Sequence, residues 1–313
     1  MSYADVEARL NNGGVVILDG GIGTELERRG VPMDAEAWCG PPTLEHADVL
    51  EEIHCDYIAA GADIVTANTF ASSRLMLKPA GLTDRLEEIN RTAVMTAHRA
   101  REASGRPDVL VAGSLSHMCP FIGPAAKTDT GARPMAEMTD AFAELAGLLR
   151  DAGCDLIILE MMYDPDRLRH VFAAAAETDL PVWAGFSARR GIGGEVLSFT
   201  REQEIPFEDI VEVLDDFDVA AAGVMHSEPN VTGDALTVLR TRFTGPLMAY
   251  PDSGYFKMPH WHFEDVILPS EFFRYATEWV KGGVRIIGGC CGLSPEHIAV
   301  LKPLKDGTQQ QVA

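Results

Sequence analysis

The chain has 313 residues, of which 46% are hydrophobic, so it can bury either one barrel-sized core or two smaller ones. Its 47 Asp and Glu outnumber its 26 Lys and Arg, and the net charge of -21 argues against binding to nucleic acid or to an anionic membrane surface. The N-terminus lacks an export signal and no apolar run reaches the roughly 18 residues of a membrane span, so we expect a cytoplasmic protein.

Eight apolar runs that end in polar or glycine-rich turns predict eight buried strands. In chain order they cover residues 15–19, 64–70, 109–114, 156–160, 181–187, 219–226, 247–250 and 285–289. Helical patterns fill most of the gaps, for example residues 84–104, 137–152, 166–177, 207–214 and 271–281. At Gly61, at Gly153 and at Gly282 with Gly283, a helical pattern stops and an apolar run follows closely, as expected where a helix feeds a buried strand.

This alternation predicts a single (β/α)8 TIM barrel over residues 1–304, followed by a polar tail at residues 305–313. An open, doubly wound sheet is the alternative architecture. The turn after the first run contains Gly20, Gly21 and Gly23 but does not match the G-x-G-x-x-G dinucleotide fingerprint, which disfavours the alternative.

Polar residues collect at the carboxyl ends of the predicted strands, where barrel enzymes build their sites. The set comprises Asp19, Asn68, Ser114, Glu160, Ser187, His226, Tyr250, Cys290 and Cys291. Any one of them has an ordinary structural interpretation as a strand or helix cap, but the whole set favours a functional face.

The adjacent thiols of Cys290 and Cys291 stand between glycines at the end of the last run. A disulfide between neighbours would be strained, whereas both sulfurs can turn to one side and bind a soft metal, with zinc as the first candidate. A catalytic zinc site needs a third protein ligand from elsewhere in the chain. The alternative is a pair of buried structural cysteines.

Several ordered motifs make the chain similar to the homocysteine S-methyltransferases, a family that includes betaine-dependent and S-methylmethionine-dependent enzymes. The matching stretches are residues 19–26, 61–70, 113–115, 156–160, 250–254 and 288–292, and the resemblance extends over nearly the whole chain. The resemblance implies a (β/α)8 barrel that transfers a methyl group to the thiol of homocysteine and forms methionine.

The resemblance also implies a zinc ion held by three cysteines, two of them from the paired motif. Here His226 stands where the family has its third cysteine, so the expected ligands are His226, Cys290 and Cys291. An alternative is that His226 bonds only locally and that the metal site and the methyl-transfer activity have been lost. Histidine is nevertheless an acceptable zinc donor.

The resemblance places Asp19 and Glu160 against the ammonium group of the acceptor. We expect four further residues to complete the substrate site: Gly20, Gly21, Asn68 and Tyr250. The expected partners are a small-molecule thiol, or a related thiol or selenol, and a cationic methyl donor.

The donor must be a sulfonium or a quaternary ammonium so that a neutral group leaves, and aromatic rings suit such cations. Aromatic residues near the predicted strand ends are Phe70, Tyr163, Trp183, Tyr250, Tyr255, Phe256 and Trp261. The alternative is that they are core or lid residues, which is the commoner case, so none of them is assigned to the donor. The loop 252–269 is a candidate lid and equally a candidate contact in a homo-oligomer.

Overall fold

The computed structural model describes residues 2–119, 135–257 and 259–305. Its strands within these ranges are β1 (Val16–Ile17), β2 (Ile64–Thr66), β3 (Leu110–Ser116), β4 (Leu156–Met162), β5 (Val182–Phe186), β6 (Ala188–Arg190), β7 (Val196–Ser198), β8 (Ala221–Met225), β9 (Leu247–Tyr250), β10 (Tyr255–Lys257), β11 (His260–His262) and β12 (Val284–Ile287). Eight of them form a parallel sheet in the order β1-β12-β9-β8-β5-β4-β3-β2. A parallel bridge between Leu18 and Ile64 joins the two ends of this order. The sheet therefore closes into the predicted (β/α)8 barrel, and the open-sheet alternative is wrong.

The helices of the described ranges surround this barrel. They are α1 (Tyr3–Asn11), α2 (Ile22–Arg28), α3 (Pro42–Glu45), α4 (Ala47–Ala60), α5 (Arg74–Leu77), α6 (Leu86–Ala103), α7 (Met135–Asp151), α8 (Pro165–Ala176), α9 (Phe207–Val211), α10 (Pro229–Leu239), α11 (Pro269–Lys281), α12 (Pro295–Ala299) and α13 (Lys302–Lys305). The five helices predicted from the sequence match α6, α7, α8, α9 and α11 closely. As predicted, α4 stops at Gly61, whose φ of 110° is a left-handed conformation that glycine adopts readily.

Some strands end at other residues than predicted, because their hydrogen bonding to the neighbouring strand stops earlier or continues further. β2 stops at Thr66 instead of residue 70, because the hydroxyl of Thr69 takes over the contacts to the backbone of Ser114. β3 and β4 run further than predicted, since Ser116 still pairs with Glu160. As a result Ser114 and Glu160 lie inside strands rather than at their ends.

The barrel interior is filled by side chains that alternate along each strand. In β4, Leu156 and Ile158 belong to the inner cluster, while Ile157 and Leu159 pack outward against the helices. This period of two carries Glu160 to the inner face at the mouth of the barrel. At the opposite end, α1 inserts Val6 and Leu10 into the inner cluster. The helix thereby closes the bottom of the barrel, a feature that the sequence did not suggest.

Within the described ranges, no helix is both long and apolar enough to cross a bilayer. The last described helix, α13, ends at Lys305, whose ammonium lies 2.6 Å from the carboxylate of Asp63. The rest of the predicted tail, residues 306–313, lies outside the described residues. The domain bounds 1–304 and 305–313 therefore stay a prediction.

Candidate metal and substrate site

A cavity of about 180 Å³ lies at the carboxyl ends of the barrel strands. Eight of the nine site residues expected from the sequence line it: Gly20, Gly21, Asn68, Glu160, His226, Tyr250, Cys290 and Cys291. The ninth, Asp19, is fully buried and stands behind this wall. The strand-end rule therefore brings together residues that are up to 271 positions apart in the chain, from Gly20 to Cys291.

The paired cysteines occupy the turn that follows β12. Their Sγ atoms are 4.0 Å apart, and both are free thiols, as expected for neighbours that do not bridge. The segment that follows β9 holds this turn in place, because the amide of Cys290 donates to the carbonyl of Pro251 at 2.7 Å. Gly292 completes the turn with a φ of 81°, and a Cβ there would lie 1.8 Å from the carbonyl oxygen of Ser253. No larger residue fits that turn unchanged.

His226 directly follows β8 and faces the two thiols. Its φ of 44° is left-handed, which is uncommon and strained for a residue other than glycine. The backbone amide of His226 donates to the carbonyl of Tyr250 at 3.0 Å, which holds this conformation. The imidazole Nδ1 lies 3.5 Å from Sγ of Cys290. The strained backbone thus aims the ring at the cysteines.

One candidate ligand atom from each of His226, Cys290 and Cys291 lies within 4.8 Å of the other two. A tetrahedral zinc with bonds of about 2.3 Å to sulfur separates two sulfur ligands by about 3.8 Å. The observed 4.0 Å between the thiols and 3.5 Å between nitrogen and sulfur are close to that spacing. Two thiols and an imidazole are also ligands that zinc prefers. The residues therefore fit a zinc ion.

Charges around His226 determine how readily it can act as a ligand. Burial lowers its pKa, but the carboxylate of Asp252 and the thiol of Cys290 outweigh burial and raise that pKa to about 9. The carboxylate oxygen Oδ2 of Asp252 lies 3.5 Å from Nε2 of the ring. A metal ligand must be a neutral imidazole, so metal binding at neutral pH displaces a proton from this residue.

Two buried carboxyl groups, those of Asp19 and Glu160, lie at the inner part of the site. Burial, followed by the charge of Asp19, raises the pKa of Glu160 to about 8. Burial also raises the pKa of Asp19 to about 7, although hydrogen bonds from Thr66 and Tyr250 act in the opposite direction. Among the described residues, no Lys or Arg side chain compensates either carboxyl group, although the charge of His226 lowers the pKa of Glu160. The pair therefore suits a cationic ligand group.

The two carboxylates differ in their access to the cavity. Asp19 accepts hydrogen bonds from the amide of Thr66 at 2.6 Å, from the hydroxyl of Thr66 at 3.0 Å and from the hydroxyl of Tyr250 at 3.0 Å. Thr66 and Tyr250 line the cavity, so Asp19 lies behind them. Glu160, in contrast, lines the cavity itself. Asn68 also lines it, but its amide nitrogen already donates to the carbonyl of Cys39 and the hydroxyl of Thr43.

Aromatic rings form the outer wall of the cavity. Phe70, Phe256 and Trp261 were expected there from the sequence, and Trp38 and Phe199 were not. Trp38 packs edge-on against Phe256 with ring centroids 5.7 Å apart, and its buried Nε1 has no hydrogen-bond partner within the described part of the chain. Trp38 belongs to the irregular segment between α2 and α3, where strand-end reasoning cannot find it.

The loop 252–269 contains the hairpin of β10 and β11, which brings Phe256 and Trp261 to this wall. Glu27 of α2 holds the hairpin, since its carboxylate accepts from the amide of Trp261 at 3.0 Å and contacts Nδ1 of His260 at 2.7 Å. Whether the loop acts as a lid or as an oligomer contact stays a prediction.

Three of the aromatic residues singled out from the sequence do not line the cavity. Trp183 is fully buried inside the barrel, where its Nε1 donates to the hydroxyl of Tyr3 at 2.9 Å. Tyr163 packs behind Phe199 at 5.8 Å between ring centroids. Tyr255 is exposed on the hairpin. Their place near strand ends was not enough to predict their orientation.

Residues 16–304 match a family model described as homocysteine S-methyltransferase. The homocysteine S-methyltransferase of Escherichia coli (strain K12) is 29% identical, with 95% of this chain and 97% of that protein covered. A selenocysteine methyltransferase of Astragalus bisulcatus is 25% identical, with 94% of each protein covered. The crystal structure of the homocysteine methyltransferase MmuM from Escherichia coli in its metallated form gives a TM-score of 0.75 at 25% identity, covering 95% of this chain and 98% of that chain.

Proposed function

Since the chain belongs to the homocysteine S-methyltransferase family, we propose that it transfers a methyl group from a sulfonium or quaternary ammonium donor to the thiol of homocysteine, forming methionine, or to a close thiol or selenol analogue. One observation carries this proposal. The soft ligand set of His226, Cys290 and Cys291 shares a single cavity with the buried carboxylate of Glu160. A small amino acid with a thiol side chain has groups that suit both.

Zinc is the cofactor that the ligand set favours. When bound, it supplies the Lewis acidity that keeps an acceptor thiol ionised near neutral pH, where a free thiol with a pKa of about 8.5 is mostly protonated. His226, Cys290 and Cys291 would hold the ion and leave one position open for the acceptor, as catalytic zinc sites require.

The chain's carboxylates bind the other end of the acceptor in this proposal. Glu160 lines the cavity and accepts the acceptor ammonium, while Asp19 adds negative charge from behind Thr66 and Tyr250. Since both pKa values are raised by burial, an ammonium group that enters the cavity favours ionisation of the carboxylates and gains charge-assisted hydrogen bonds. Asn68 and the Gly20–Gly21 turn shape the cavity wall beside them.

The aromatic wall receives the donor. Trp38, Phe256 and Trp261 present rings that attract a sulfonium or ammonium and exclude water from it. The acceptor sulfur attacks the donor methyl carbon in line with the leaving group, a new carbon–sulfur bond forms, and the donor bond breaks with its electron pair on the neutral leaving group. The acceptor proton goes to solvent. The chain's residues act by holding the two reactants in line.

A donor screen tests this function. The zinc-loaded protein is incubated with homocysteine and, separately, with S-methylmethionine, S-adenosylmethionine and betaine, each carrying a labelled methyl group. We expect labelled methionine from at least one sulfonium donor, and none from a Cys290→Ala, Cys291→Ala control. A zinc-loaded wild type that methylated neither homocysteine nor a selenol analogue with any of these donors would support a metal-binding relative without methyltransferase activity instead.

The cytosol remains the location that we propose, because few cysteines occur and the adjacent thiols of Cys290 and Cys291 are not bridged.

A homo-oligomer in which the loop 252–269 forms a contact is likewise a proposal. Size-exclusion chromatography with light scattering measures it directly.

A further inference from the structure

We propose that Asp252 is a positioning residue for His226: its carboxylate accepts a hydrogen bond from Nε2–H of the imidazole, so that Nδ1 presents its lone pair to the metal beside Cys290. This inference rests on the proposed metal site and assigns a specific role to one residue outside the ligand set. Asp252 lies within the matching stretch 250–254, but neither the motif nor the family resemblance assigned it a role.

The two nitrogens of His226 face different partners. Nδ1 lies 3.5 Å from Sγ of Cys290, and Nε2 lies 3.5 Å from Oδ2 of Asp252. The latter separation is that of an ion pair and is longer than an ideal hydrogen bond. The two side chains are only 12% and 10% exposed, so little water competes for the contact. The ring is thus held between a sulfur on one side and a carboxylate on the other.

The backbone around Asp252 is tied to both ligand-bearing turns. The amide of Asp252 donates to the carbonyl of Ser227 at 3.2 Å, next to His226. On the other side, the amide of Cys290 donates to the carbonyl of Pro251 at 2.7 Å, and the amide of Ser253 donates to the carbonyl of Cys291 at 3.0 Å. Asp252 therefore has a fixed position relative to all three candidate ligands.

The burial of Asp252 supports a partner role. Asp252 is 7% exposed, and within the described ranges its ion-pair partner is His226. A buried carboxylate is destabilising unless a cation or hydrogen-bond donor compensates it. A carboxylate that accepts from the distal nitrogen of a metal-binding histidine fixes the tautomer and makes the ring a more basic ligand. The 3.5 Å between Oδ2 and Nε2 brings Asp252 within reach of that arrangement.

The test is a comparison of zinc dissociation constants, measured by competition with a chromogenic chelator at one pH. The proteins are the wild type, Asp252→Asn, His226→Cys and the double variant. We expect Asp252→Asn to weaken zinc binding by about 10- to 100-fold in the protein with His226. In the His226→Cys background the same change should have an effect below about threefold, because a thiolate has no second proton for Asp252 to accept.

Glu228→Gln is the matched control. Glu228 is an exposed acidic residue two positions from His226, and its Oε2 accepts from the side chain of Asn230 rather than contacting the imidazole. The Glu228→Gln substitution also removes one negative charge near His226. If the contact of Asp252 with the ring, and not the net charge, supports zinc binding, this variant should bind zinc within about threefold of wild type. Thermal melting of every variant establishes that each one is folded.

Three outcomes would overturn the inference. Equal or tighter zinc binding by Asp252→Asn would mean that Asp252 stabilises the protonated ring instead. An equal loss in both backgrounds would mean that Asp252 supports the loop or binds the metal itself. A folded wild type that bound no zinc would overturn the proposed metal site as well, which separates failure of the function from failure of this inference alone.

Discussion

Replacement of Glu160 by Gln tests the role of the buried carboxylates most sharply. The amide has nearly the shape of the carboxylate but carries no charge. Glu160 is 8% exposed, and within the described residues no Lys or Arg compensates its charge, so an acceptor ammonium would supply a cation that the site lacks beyond His226. A hydrogen bond to a charged group contributes about 1.5–3 kcal/mol. The variant should therefore bind homocysteine about 10- to 140-fold more weakly at pH 9.

In the protein without ligand, the same substitution should raise the folding stability at high pH relative to wild type. Burial and Asp19 raise the pKa of Glu160 to about 8, above the value of about 4.3 for an unfolded chain. The contribution of a carboxyl group with a raised pKa is fully present below the unfolded value and is lost as pH rises through the folded value. Wild-type stability should therefore fall between about pH 4 and pH 8, and Glu160→Gln should flatten part of that decline.

Calorimetric titration with homocysteine under reducing conditions measures the affinity, and thermal melting at pH 5 and pH 9 measures the stability. Glu177→Gln, an exposed acid that follows α8, is the matched control and should resemble wild type in both. Zinc content is measured in all three proteins. If Glu160→Gln bound homocysteine as tightly as wild type and melted with the same pH dependence, the carboxylate would not be the ammonium site.

Replacement of Cys291 by Ala should remove most of the zinc, as measured by metal analysis, and circular dichroism should show that the barrel is still folded. Full zinc occupancy in this variant would contradict the ligand assignment. Phe256→Ala should raise the donor KM by about 2- to 30-fold through loss of a cation–π contact and leave the acceptor KM unchanged, and equal effects on both would argue against a donor wall. Gly292→Ala and Gly30→Ala both place alanine at a φ of 81°, but only Gly292 has an atom within 4 Å of the added Cβ. Denaturant unfolding should show a loss of about 1–2 kcal/mol for Gly30→Ala and a clearly larger loss for Gly292→Ala, and equal losses would mean that the turn can relax.

The barrel and most of the site could be predicted because they depend on local patterns. Buried parallel strands appear as apolar runs, and the carboxyl ends of such strands meet at one face. These patterns predict that Glu160, His226 and Cys290 share one face of the barrel, and all three line the same cavity. The family motifs added the expected third ligand position, and the structure places His226 beside the thiols as anticipated.

Other site residues could not be found in this way because they belong to irregular segments. Trp38 and Phe199 reach the cavity from loops with no periodic pattern, and only the closed barrel shows where those loops lead. Asp252 follows a predicted strand, but its importance depends on a 3.5 Å contact with His226 that no spacing rule encodes. The position of Asp19 behind Tyr250 likewise depends on how β1 ends and turns.

The most direct measurement of the central claim is methyl transfer as a function of zinc occupancy. Protein stripped of metal is reloaded with zinc in steps, and each sample receives deuterium-labelled S-methylmethionine and unlabelled homocysteine. The account predicts that the rate of labelled-methyl transfer, read by mass spectrometry, rises in proportion to zinc bound at His226, Cys290 and Cys291 and levels off near one ion per chain. A transfer rate independent of zinc occupancy would contradict the account.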